Sequence, residues 1–280
     1  MNKKEKQAMM IVKKEKKDWL PVEQNSMELS PIFNTSKAEQ EKGVVRRELG
    51  RGRYIQISKD IKGNLIHFED LSTLVACFLL LKHSRKRKGY SFETSYYQFL
   101  SIVGEGRGGK DYKKLEQSLR RLQSCNITTN FWFDTISGKR ITLATFNFLD
   151  GVDEGEEQSL RISLSEHIVK SMEMGYLRWL EENELKEILH LRGYAKVLAL
   201  FLLKRTNNGP GVKFILDRIL EVLGVKEKYG KLPKHRFNFY IKRRIIKAIE
   251  RASNTIGYGS KYNPEEKMFY IWKEQKILRD

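Results

Sequence analysis

The chain has 280 residues, 40% hydrophobic and 11% aromatic, enough for two domains that each bury a core. Its 53 Lys and Arg outnumber 35 Asp and Glu, giving a formal net charge of +18, so the expected partner is a polyanion. A membrane span is excluded, because the longest apolar run, Leu71 to Leu81, falls far short of the roughly 20 residues one needs.

Residues 1–26, rich in Lys, Glu and Gln and without sustained periodicity, read as a flexible basic arm that serves solubility or grips DNA. The arm offers no apolar signal core, and Cys77 and Cys125 sit among apolar neighbours as packing residues. The expected location is the cytoplasm. "VVRRELGRGRYIQIS", Val44 to Ser58, predicts two short strands around a Gly-Arg-Gly turn. Asp70 is placed to cap a buried helix through Leu81, which ends in a basic run closed by Gly89. Tyr96, Phe99, Leu100 and Val103 then follow helical spacing, with Thr94 or Ser95 placed to cap that helix.

A glycine run follows, and after it Tyr112, Leu115, Leu119 and Leu122 mark a helix from about Lys110 to Ser124. "ITTNFWF" and "RITLATFNFL", separated by "DTISGK", predict a hairpin. The acidic stretch Asp150 to Gln158 reads as a linker between a first domain, 27–150, and a second, 151–280. Beyond it come a strand "LRISLS" and a short helix capped by Ser165. Residues 176–190 resist assignment. A strong helix over 192–204, a short one closed by Gly224, a long one over 234–252 and a second hairpin complete the chain. The fold class expected is α+β, two tandem winged-helix domains, each a helix-turn-helix followed by a β-hairpin wing.

Gly104, Gly109 and Lys110 nearly complete a phosphate-binding loop, G-x-x-x-x-G-K. Two features oppose a nucleotide site. Asp111 stands where a Ser or Thr should hold Mg²⁺, and the preceding segment has helical rather than strand spacing. A nucleotide-dependent enzyme is therefore the weaker reading, and the glycines serve a turn that swings the next helix into place.

Opposite its apolar stripe, that helix presents Lys110, Lys113, Lys114, Gln117, Arg120 and Arg121, cations for phosphates beside forked donors for base edges. A solvated helix face would carry the same residues, but the third helix of a helix-turn-helix order is where groove reading belongs. Lys139 and Arg140 at the hairpin turn could grip a phosphate. The long second-domain helix holds seven Lys or Arg against Glu250 alone, with Arg236, Tyr240, Arg243 and Lys247 on its outer side. The five histidines are scattered and no His-x-His pair occurs, so no catalytic centre, metal or cofactor is expected.

The segment "YYQFLSIVGEGRGGKDYKKLEQSLRRLQSCNITTN" resembles the replication initiator protein A family of bacterial plasmids. The resemblance rests on a helix ending in Gly104, Gly106, Gly108 and Gly109, then Asp111-Tyr112, then Leu122-Gln123-Ser124. "MELSPIF", Met27 to Phe33, is similar to the family's opening, and residues from Tyr176 onward resemble the start of its second domain. The resemblance implies tandem winged helices that bind repeated origin sites in double-stranded DNA and open the origin without ATP hydrolysis. It also implies recruitment of host replication proteins, such as an initiator ATPase or a helicase, repression of the protein's own gene, and homodimers formed through the first domain. A transcriptional repressor is the alternative within the same class.

Overall fold

The computed structural model describes residues 19–273 except 24–26, 28, 34–36, 51, 61–62, 84–86, 89, 105, 135–138, 141–142, 156–158, 174–176 and 207–208. Elements run in the order β1 (Trp19–Glu23), a 3₁₀ turn (Ser30–Phe33), α1 (Lys37–Lys42), β2 (Val44–Gly50), β3 (Arg53–Ser58), α2 (Phe68–His83), β4 (Arg87–Lys88), β5 (Ser91–Ser95), α3 (Tyr96–Val103) and α4 (Gly109–Ser124). Next come β6 (Asn126–Thr129), β7 (Phe133–Asp134), β8 (Lys139–Arg140), β9 (Ala144–Phe146), β10 (Leu149–Glu154), β11 (Ser159–Leu164), α5 (Glu166–Glu173), β12 (Leu177–Glu181) and α6 (Glu182–His190). The last part holds α7 (Tyr194–Thr206), β13 (Gly211–Ile215), α8 (Leu216–Val222), α9 (Lys226–Gly230), α10 (Lys234–Tyr240), a π-helical stretch (Ile241–Ile246), α11 (Lys247–Thr255), β14 (Tyr258–Asn263) and β15 (Met268–Lys273).

One succession occurs twice: helix, strand, helix, helix, strand, strand. In the first unit it is α2, β5, α3, α4, β10, β11, and in the second α7, β13, α8, α10–α11, β14, β15. Sheet order repeats as well. The last strand lies between the other two, as β10-β11-β5 and as β14-β15-β13, with every pairing antiparallel. The β6–β9 segment is inserted after the first unit's third helix and extends the β2–β3 hairpin into a sheet ordered β2-β3-β6-β9. A single apolar core runs from Met27 to Ile271 through both units.

Local chemistry explains the pieces that position α4. Ser95 Oγ accepts from the Gln98 N–H at 3.2 Å and starts α3. Gly104 ends it at φ 75°, a left-handed conformation that glycine adopts without a Cβ penalty. Asp111 then accepts from the Gly108 N–H at 3.3 Å, and a Cβ on Gly106 would stand 2.5 Å from that same carboxylate. The glycine run is thus a helix stop, a close approach and a helix start in succession.

The orientation of α4 on α2 is set by one buried pair. Asp70 is fully buried, and Arg121 donates to it through Nε at 2.8 Å and Nη2 at 2.7 Å. Ser118 Oγ donates to Thr73 Oγ1 at 2.7 Å one turn away, and Leu115, Leu119 and Leu122 fill the space between.

Several expectations are corrected. Trp19–Glu23, assigned to the flexible arm, pairs along its length with Leu177–Glu181; the arm's residues 1–18 lie outside the described residues. The acidic stretch Asp150–Gln158, expected as a linker, begins within strand β10, because alternating Leu160, Ile162 and Leu164 face the core and draw β11 against β10 and β5; residues 156–158 lie outside the described residues. Asp70 sits inside α2's first turn rather than before it, accepting from the His67 N–H at 2.6 Å. Ser165 Oγ is buried without a hydrogen-bond partner among the described residues, while Asp150 Oδ2 accepts the Glu166 N–H at 2.8 Å at the start of α5. Residues 91–95, where only a cap for α3 was expected, form a strand, and 177–190, which resisted assignment, resolve into β12 and α6.

Removing one partner from a buried pair leaves the other charge uncompensated. Arg121→Ala is therefore expected to lose about 3–5 kcal/mol in urea denaturation, and Asp70→Leu with Arg121→Met to recover most of that loss. His167 lies half-buried against Phe146 and Trp132, and desolvation lowers its pKa from the usual value near 6.5. The folded state then holds fewer protons than the unfolded one, so stability rises with pH across that window and falls as pH drops from about 7. His167→Gln is expected to flatten part of that slope in thermal melts at pH 5.5–7.5.

Candidate nucleic-acid interface

The outer face of α4 is cationic and exposed at Lys110, Lys113, Lys114, Gln117 and Arg120. Lys110 and Lys113 form no ion pair among the described residues. Lys114 lies 3.8 Å from Asp111 and borders a cleft of about 340 Å³ between α2, α4 and the turn before α7. Arg120 is held at 2.7 Å by Glu116 and sits 3.8 Å from Glu154 on β10. Glu154 also accepts from the Tyr96 hydroxyl at 3.0 Å, which ties the acidic strand to α3.

Arg121 does not belong to this face. Its guanidinium is spent on Asp70 and its side chain is only 12% exposed, so it anchors the helix and is not available to a base edge. Lys139 and Arg140 form β8, opposite Asp134 and Phe133 of β7; their side chains are outside the described residues.

In the second unit the third helix changes pitch. Six π-helical residues follow α10 before α11 resumes the ordinary turn. Ile241, Ile245, Ala248, Ile249 and Ala252 face the core, and Arg236, Arg243 and Lys247 face solvent as expected. Tyr240 is the exception. It is half-buried, its ring 4.0 Å by centroids from the buried Tyr229, whose hydroxyl is 3.4 Å from that of Tyr194. Burial, with Tyr240 beside it, pushes Tyr194 up to about 12, and burial with both neighbouring phenols raises Tyr229 further. Phe239 takes the outward position in its place, 59% exposed, with the Arg243 guanidinium carbon 4.8 Å from its ring centre.

That residue was missed by sequence reasoning, which took the phenol as the solvent-facing aromatic. A comparable pair stands on the first unit, where Arg107 lies 4.1 Å over the ring of exposed Tyr97 and donates to its hydroxyl at 2.6 Å. The nucleotide-loop alternative fares poorly in this geometry. The segment before Gly104 is helix α3, not a strand, and Asp111 is occupied with the Gly108 N–H.

Comparison with known proteins now bears on this arrangement. In fold, the chain is similar to the crystal structure of domains 2 and 3 of RctB in its selenomethionine form. The TM-score is 0.53 at 15% identity, over 84% of this chain and 92% of that one. A second structure of RctB domains 2–3 gives a TM-score of 0.49 at 14% identity over the same shares. No curated protein matches. The profile described as Replication initiator protein A matches residues 22–183, more than half of the chain and all of the first repeated unit. The protein belongs to the Replication initiator protein A family.

Proposed function

We propose that this replication initiator is a sequence-specific double-stranded DNA-binding protein that initiates replication of a plasmid by binding repeated sites at the origin. The observation that carries the reading is the duplicated topology. Helix-turn-helix followed by a two-stranded ribbon is the winged-helix order, and in both copies the third helix turns cations outward and an apolar stripe inward. The first winged helix extends through β11 and the second begins near α7, and each presents its reading helix to a major groove. Opening of the origin and recruitment of a host initiator ATPase or helicase follow as the initiator's task, without ATP hydrolysis by this chain, and homodimers form through the first unit.

Lys110, Lys113, Lys114 and Arg120, and Arg236, Arg243 and Lys247, take phosphate or base contacts, while Gln117 offers the forked amide suited to adenine. A repressor would bind operators with the same residues, and family membership favours the initiator. The discriminating experiment is plasmid maintenance. An origin fragment supplied with this gene is expected to persist in dividing cells, and a repressor would leave it to be lost.

Footprinting on DNA flanking the protein's own gene is expected to reveal repeated protected sites. Gln117→Ala should relax discrimination at one base pair by about 1–3 kcal/mol, whereas Lys113→Ala should weaken all sequences alike and reduce the salt dependence by about one counterion. ATP affinity, measured by calorimetry, is expected to be undetectable in the wild type, so Lys110→Ala changes DNA binding alone.

A further inference from the structure

The two neighbouring aromatics of α10 are arranged against solvation. Tyr240, whose hydroxyl would be content in water, is turned into the Tyr194–Tyr229 cluster. Phe239, with no polar atom, is the one left in water at 59% exposure. Solvation alone would choose the reverse. The π-helical stretch that begins at Ile241 directly follows this pair.

Around Phe239 the helix presents Arg236 three residues before and Arg243 four residues after, with Asn238 beside it, all exposed. Arg243 lies against the ring and steadies it. An apolar ring flanked by two cations has a specific complement on duplex DNA. A helix lying in the major groove meets base edges rather than base faces, and the one apolar group displayed there is the thymine C5-methyl.

Resting on the DNA-binding reading proposed above, we infer that Phe239 reads a thymine methyl group in the major groove, with Arg236 and Arg243 on the phosphates or base edges to either side. Phe239 thereby sets the thymine preference of the second unit, a role that the cations alone do not supply.

The test begins with a duplex selected from a random pool by the full-length protein. In it each thymine is replaced singly by deoxyuridine, which removes only the methyl. Wild-type affinity is expected to fall about fourfold at one thymine of the second unit's site, the worth of one buried methyl. Phe239→Ala is expected to bind the parent duplex about tenfold more weakly and to be indifferent to deoxyuridine at that position. Phe239→Leu, which keeps an apolar tip, should retain part of the methyl sensitivity. Since the ring is exposed, neither variant should change the melting temperature.

A wild-type protein insensitive to deoxyuridine at every thymine overturns the assignment, as does a Phe239→Ala protein whose sensitivity is unchanged. Failure to select any duplex is a different result, because it removes the DNA-binding reading itself.

Discussion

A carboxylate with no access to water lies beneath the helix that turns Lys110, Lys113, Lys114 and Arg120 outward. Asp70 accepts the His67 N–H and both donors of the Arg121 fork, so the start of α2 and the last turns of α4 are fixed by one group. A buried ion is tolerated only when its lone pairs are matched, and that requirement leaves α4 a single rotation about its axis. Everything else about the face follows: the leucines at 115, 119 and 122 go inward, and Lys110, Lys113 and Gln117 go outward.

Helical spacing made α3, α4 and the long C-terminal helix legible, because each buries a stripe at three- and four-residue intervals, while α7, buried on every side from Ala195 to Leu203, was legible as a long apolar run. Arg121 was not legible as an anchor. It stands at the edge of the stripe, where a long side chain can reach either way, and only its partner decides. The signal available was Asp70 itself, an acid directly before the apolar run of the helix, which once buried had to find a cation. Tyr240 and Phe239 were exchanged for a similar reason, since a π-helical stretch shifts the phase that a 3.6-residue count assumes. The hairpin of β10 and β11 was hidden by composition: acidic residues and glycine suggested a linker, while the alternation at 160, 162 and 164 carried the strand.

The two units do not stand apart. The 3₁₀ turn at Ser30–Phe33 is buried, and the Ser30 hydroxyl donates to the Val197 carbonyl of α7 at 3.2 Å. The buried Lys196 ammonium donates to Ser72 on α2, and Arg218 of α8 reaches the Glu48 carbonyl on β2 at 3.0 Å. Pairing of β1 with β12 ties the described N-terminal strand to the segment just before α6. Contacts of this kind, hydroxyls and guanidinium groups on backbone carbonyls, depend on side chains distant in sequence and leave no local pattern to read.

The carboxylates beside Arg120 have one more consequence for α4. Glu116 and Glu154 cancel positive charge at the helix's rear, while at its front Asp111 is shared with the Gly108 N–H and Lys114, leaving Lys110 and Lys113 without an ion pair among the described residues where the peptide dipoles add their own positive end. On the proposed reading the rod is therefore electrically lopsided: the field that draws a duplex in is strongest at its leading end, and Arg120 has to exchange its carboxylate neighbours for a phosphate before it contributes.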